Sequence, residues 1–165
     1  MTDLTLPLQT ILPWLAILAA LGSGLMAGTF FAFSTFVMPA LGRLPAAQGI
    51  AAMQSINVTV LNPWFFGAFF GTAALCLAIA GLTLLDWAGP GSAFLLGGSL
   101  LYLIGTIGVT IAGNVPLNTA LAAVPADSGA GAALWSRYLA TWTAWNHVRT
   151  VAPLAAMAAF ILALR

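Results

Sequence analysis

Four apolar stretches, each long enough to cross a bilayer, fill nearly all of the 165 residues, and the polar positions among them are unevenly placed. The first stretch covers residues 8–38 and is closed by Pro39, Gly42 and Arg43, a combination that ends a helix at a membrane surface. Residues 46–61 read as a short helix lying at that surface. Asn62-Pro63 opens the second long helix, because asparagine caps a helix well and proline suits the first helical position, where its missing N–H costs nothing. This helix reaches residue 87 and is about 37 Å long, enough to cross a hydrocarbon core of about 30 Å with some tilt. Gly89-Pro90-Gly91-Ser92 is a tight turn that sends the third helix, residues 93–121, back antiparallel. After a break at 125–131 the fourth helix occupies 132–164, amphipathic in its first half and apolar in its second. Gly24 and Gly28 in the first helix, and Gly97, Gly98, Gly105 and Gly108 in the third, predict close helix approach.

The pattern predicts an all-α, membrane-embedded antiparallel four-helix bundle with a short interfacial helix between helices one and two, in a single domain of residues 1–165. Charge agrees. The chain has four Arg, three Asp and no Lys or Glu, whereas a soluble domain draws about a quarter of its residues from the charged set. Its main partner is therefore the lipid bilayer. No basic cluster exists to meet phosphates, which sets nucleic acid aside. The lone cysteine, Cys76, has no disulfide partner in the chain and reads as a packing residue. The first ten residues lack the basic segment of a cleavable signal, so the first stretch is expected to stay as an anchor in a multi-pass protein of the inner or plasma membrane. Arg43 and Arg137 against Arg165 give a slim positive-inside bias toward a cytoplasmic face for the end that holds them. Whether copies form a homo-oligomer is left open.

An antiparallel bundle gathers the end of helix one, the start of helix two, the end of helix three and the start of helix four on one side. That end receives all five asparagines, Asn57, Asn62, Asn114, Asn118 and Asn146, together with Gln54, His147 and Arg149. The opposite end carries little beyond Asp3, Asp86 and Arg165. Many aromatics share the first end, which reads as a polar-aromatic cup.

Polar groups inside a membrane are functional candidates by default, each with a plainer alternative. Asn114 and Asn118 lie four apart on one helix face, either contacting a ligand or mending the backbone that Pro116 breaks by freeing the Ala112 carbonyl. Trp135, Tyr138, Trp142, Trp145, Asn146 and Arg149 form a stripe at helical period. It reads as a pocket wall, the alternative being an interfacial belt with a snorkelling arginine. His147 points elsewhere on the helical wheel; it is the one side chain whose ordinary titration suits a neutral-pH base, and equally suits a structural role. Asn62 doubles as a helix cap. Gln54 and Asn57 share a face of the short helix and either lid the cup or wet its surface. Counting from Arg165, Arg149 lies about 24 Å and His147 about 27 Å along the helix, close to one edge of the hydrocarbon. One His, one Cys and scattered carboxylates do not compose a zinc or a two-His-one-carboxylate iron site, and no phosphate or dinucleotide loop is present. A haem held by His147 with Met26, Met38 or Met53 is the alternative on paper, with no positive sign of it, and the expectation carries no metal and no cofactor.

The runs Phe36-Val37-Met38-Pro39-Ala40-Leu41, Ala52-Met53-Gln54-Ser55-Ile56-Asn57, Gly113-Asn114-Val115-Pro116-Leu117-Asn118 and Trp145-Asn146-His147-Val148-Arg149-Thr150 resemble those of the anthrone oxygenase-like family of integral membrane proteins, long catalogued as a domain of unknown function. The resemblance covers nearly the whole chain. It implies a four-helix membrane fold and, as in some fungal relatives, oxidation of an anthrone to an anthraquinone with O₂. On that reading a flat phenolic or other small amphiphilic aromatic binds among Trp142, Trp145 and the phenylalanines. Asn114, Asn118 and Asn146, with Gln54, Asn57 and Asn62 nearby, hold its oxygens; Arg149 stabilises its anion and His147 takes the proton. The alternative is a non-enzymatic membrane module that binds a lipid, quinone or small solute, or a subunit of a larger assembly.

Overall fold

The computed structural model describes residues 5–87 and 89–165 and contains helices and short connections. Asp3, assigned to the end opposite the cup, lies outside the described residues. The elements are α1 (Thr5–Ala32), α2 (Met38–Gly42), α3 (Ala46–Thr59), α4 (Pro63–Leu85), α5 (Pro90–Tyr102), α6 (Val115–Ala122) and α7 (Gly129–Ala163). Wide turns of π-helix at Phe33–Val37, Leu103–Gly108 and Thr110–Asn114 join α1 to α2 and α5 to α6 without breaking the rods. Four continuous spans result: Thr10–Gly42, Pro63–Leu85, Gly91–Ala122 and Gly129–Ala163. Their outward faces carry Trp14, Leu21, Leu77, Leu85 and Val151, all exposed. Such a continuous apolar coat is compatible with lipid and not with water. The chain is a membrane four-helix bundle, with α3 as the short helix between its first two spans.

The local signals explain the boundaries. Asn62 caps α4 through its Oδ1, which accepts from the Trp64 and Phe65 N–H groups at 3.1 and 3.0 Å. Ser128 caps α7, accepting from Gly131 N at 2.9 Å, so this helix begins three residues before the expected start at 132. Gly89 makes the tight turn at φ 101°, a backbone conformation open to glycine. The first span ends at Gly42, where Pro39, Gly42 and Arg43 together are read to close it, but neither Pro39 nor Pro116 breaks its own helix. Instead the helices run through them, because each proline sits just past a wide turn, in the first turn of α2 or α6, where its missing N–H is absorbed.

The spans pack as a square: the first touches the second and fourth, and the third touches the same two. Close approach occurs at three of the six glycines expected, Gly24, Gly98 and Gly105, and at others besides. A Cβ on Gly22 would strike Thr72, one on Gly24 the Met157 sulfur, one on Gly98 the Phe160 ring, and one on Gly105 Ala152. Gly28 and Gly97 have no such neighbour, so the anticipated Gly24/Gly28 pair reduces to Gly24, with Gly22 as its companion. Two apolar cores lie along the bundle axis. One contains Met26, Phe30, Phe69, Cys76, Tyr102 and Phe160; the other, under α3, contains Ile50, Met53, Trp135, Tyr138 and Trp142.

Candidate functional site

Between these two cores lies a cavity of about 260 Å³. Thr29, Phe30 and Phe33 of the first span form one wall, and Phe65, Phe66, Phe69 and Phe70 of the second form another. The third span contributes Ile107, Thr110, Ile111, Val115 and Asn118, the fourth Trp142 and Arg149, and α3 roofs the space with Met53, Ile56 and Asn57. The lining is aromatic with a few polar groups, the general make-up of a small-molecule site. Among the described residues no Asp, Glu or His lines it.

Among the described residues Arg149 is the one charged lining residue, and it is 5% exposed. Its Nη2 donates to Asn146 Oδ1 at 2.7 Å and its Nη1 to Thr110 Oγ1 at 3.3 Å. Its Nε has no hydrogen-bond partner among the described residues. The guanidinium carbon sits 4.4 Å from the Phe30 ring centre and 5.0 Å from that of Trp142, between two aromatic surfaces. Desolvated cation–π contacts contribute about 2 kcal/mol each, against a penalty of several kcal/mol for an ion buried without a counter-charge. The protein's own groups thus offset the cost only in part.

Asn146 holds this arginine. While its Oδ1 accepts from Arg149, its Nδ2 donates to the Phe30 carbonyl at 2.7 Å and to Ser34 Oγ at 2.8 Å. Ser34 also pairs with Thr150 Oγ1 at 3.3 Å. Asn114 and Asn118 both fasten Trp142. Asn114 Nδ2 donates to its carbonyl at 3.1 Å, and Asn118 Oδ1 accepts its indole N–H at 2.8 Å together with the Tyr138 hydroxyl at 2.8 Å. Neither asparagine mends the Pro116 break; the wide turns do that. Trp135, Tyr138 and Trp142 stack in series with ring centres 5.5 and 6.2 Å apart.

Thr106, Thr110, Asn114 and Asn118 recur every fourth residue, a signal missed in the sequence reading. On a regular helix such a row drifts by about 40° per step, about 120° overall. The two wide turns take up this drift, so that Thr110, Asn114 and Asn118 all meet the fourth span. Wide turns of this kind are frequent at functional sites. Thr110 was likewise not among the cup residues, and Phe30 and Ser34, which share the cup end, were not singled out, because the contacts that matter cross between spans.

The other candidates, Asn57 apart, fall outside the cavity or behind it. Asn57 lines it, whereas Asn114 and Asn146 are fully buried behind the lining. Gln54 does not line it; its Nε2 donates to the carbonyls of Leu121 and Val124 at 2.9 and 3.0 Å, tying α3 to the end of the third span. Asn62 uses its whole amide as a cap, its Nδ2 donating to Thr59 O at 3.0 Å. Trp145, placed in the stripe with Trp142, is 43% exposed and packs over Gly113 on the far side of the third span, one helical step out of register. His147 is exposed and lines a shallow groove with Arg43, Ser136 and Thr143. The 3.6-residue period turns it away from Arg149, so it does not reach a guest in the cavity. Among the described residues no three His, Cys, Asp or Glu side chains come together.

The family described as anthrone oxygenase matches residues 64–159, well over half of the chain. The chain belongs to the anthrone oxygenase family. No curated protein and no solved structure matches it. The matched region carries the second to fourth spans, and with them Thr110, Asn118, Trp142, Asn146 and Arg149. Phe30, Phe33 and α3, which complete the cavity of this anthrone oxygenase family member, precede it.

Proposed function

We propose that this membrane protein is a cofactor-independent oxygenase whose cavity binds a flat phenolic, anthrone-like aromatic as its anion. The observation that carries the reading is Arg149: a buried guanidinium, set between Phe30 and Trp142, without a carboxylate beside it. In low dielectric such a charge acts strongly on a negative oxygen, and it is already oriented before the guest arrives. The rings of the guest lie among Phe65, Phe69 and Trp142. Its oxygen faces Arg149, and Asn118, whose Oδ1 is already occupied, offers its Nδ2 to a second oxygen.

The acidic CH₂ of the substrate passes a proton to a single water held beside it, since no imidazole or carboxylate of the described residues lines the cavity. Arg149 favours this step by stabilising the delocalised anion. The anion gives one electron to O₂, and the resulting radical and superoxide join as a peroxide anion at the same carbon, which takes back the proton lost in the first step and becomes a hydroperoxide. Loss of the remaining C–H proton breaks the O–O bond, leaving a carbonyl and releasing one water. One O₂ is consumed for each new carbonyl. The protein contributes orientation, a water-poor site and anion stabilisation.

Anthrone-dependent O₂ uptake by purified protein in lipid vesicles tests the reading. Arg149→Met removes the charge at similar volume, and uptake is expected to fall at least about a hundredfold, the loss of about 2.7 kcal/mol of transition-state stabilisation. Wild-type turnover by the folded variant would overturn the mechanism. The lack of a lining base favours a second reading, a binding module for a lipid-soluble acid or quinone; ligand retention without O₂ uptake would select it.

A further inference from the structure

The cavity is closed above and below but open at one side. Its roof, α3, is held by the two Gln54 hydrogen bonds and by Ile50 and Met53 in the core under it. Its floor is the lower core, where the Tyr102 hydroxyl donates to the Phe69 carbonyl at 2.9 Å and fastens the second span to the third. Above this fastening the two spans part. α4 packs along α5 and reaches the Leu103–Gly108 turn, but makes no sustained contact with Thr110–Asn114 or α6. The gap is framed by Phe66 and Phe70 on one side and Ile111 and Val115 on the other. All four line the cavity and also face outward, Phe70 at 53% and Ile111 at 63% exposure. The gap lies between two helices long and apolar enough to cross a membrane, so its frame opens toward the side that faces lipid.

We propose that the ligand reaches Arg149 sideways out of the bilayer, through the gap between the second and third spans. The frame is wholly apolar, while Thr110, Asn118 and Arg149 belong to other faces of the cavity. A charged molecule would meet a cost of several kcal/mol in the hydrocarbon before reaching any of them. The ligand class is therefore a flat aromatic weak acid that dissolves in lipid as its neutral form. The acid part of this assignment rests on the anion reading above; the route does not.

Thiol labelling in lipid vesicles, in a Cys76→Ala background, tests the route without any turnover. Ile107→Cys places a thiol on the cavity wall and Ser55→Cys one on the exposed face of α3. A lipid-soluble maleimide is expected to label both, and a charged, water-borne maleimide only Ser55→Cys. Adding Val115→Trp to Ile107→Cys should slow the lipid-soluble reagent about tenfold, the effect of about 1.4 kcal/mol of added barrier, and leave Ser55→Cys unaffected. Labelling of Ile107→Cys by the charged reagent at the Ser55→Cys rate, by neither reagent, or without any effect of Val115→Trp overturns the proposal. Phe33→Cys gives the same readout should Ile107→Cys fail to fold. Expected labelling without anthrone oxidation would sink the oxygenase reading alone; anthrone oxidation with water-borne labelling would sink the route alone.

Discussion

Asn146 Oδ1 accepts a hydrogen bond from Arg149 Nη2 at 2.7 Å, while the amide nitrogen of the same side chain grips the Phe30 carbonyl at 2.7 Å. A neutral residue thus sets the direction of the charge and ties it to the first span. Had a carboxylate held Arg149 instead, the pair would be electrically satisfied and indifferent to an anion. Orientation by an amide leaves the positive charge available.

Replacing this amide should therefore affect both stability and binding. Asn146→Leu removes three hydrogen bonds, each contributing about 0.6 kcal/mol on the scale of membrane proteins, for a loss of about 2 kcal/mol. Unfolding of purified protein in a graded detergent mixture measures it. The affinity for an anthrone-type ligand should fall in parallel, and an unchanged affinity would mean that Arg149 is aimed by other contacts.

Asn118 is expected to act on Trp142 more than on the bundle. In Asn118→Leu the Trp142 indole N–H and the Tyr138 hydroxyl lose their common acceptor. A loss of about 1 kcal/mol follows on the same scale, together with a shift in tryptophan emission. Emission identical to that of the wild type would show that the indole does not depend on this bond.

Helix contact makes a sharp prediction at two glycines. Gly105→Leu drives a side chain into Ala152, and overpacking of this kind costs about 1–3 kcal/mol. Gly28→Ala meets no atom within 4 Å and should be neutral or stabilising by up to about 1 kcal/mol, the difference in helix propensity. Thermal unfolding in one detergent compares the two directly; equal effects would contradict the packing described.

His147→Gln should leave anthrone-dependent O₂ uptake within about twofold of wild type, under about 0.5 kcal/mol of barrier, because the imidazole lies on the outer face. A fall of an order of magnitude would return His147 to the mechanism as the proton acceptor.

The sequence by itself determined the spans, their antiparallel order and the short helix between the first two, because a bilayer demands long apolar helices and turn residues mark their ends. It also placed the polar-aromatic cup, and the helical period put Trp142, Asn146 and Arg149 on one stripe. The tertiary structure decided which polar groups line the cavity and which stand behind it. The wide turns, invisible to a 3.6-residue count, rotate Thr110, Asn114 and Asn118 toward the fourth span. The partners of Arg149 on other spans, Phe30 and Thr110, lie 119 and 39 residues away in the chain. Contacts across such separations depend on how rods are rotated against one another, and local periodicity does not encode that rotation.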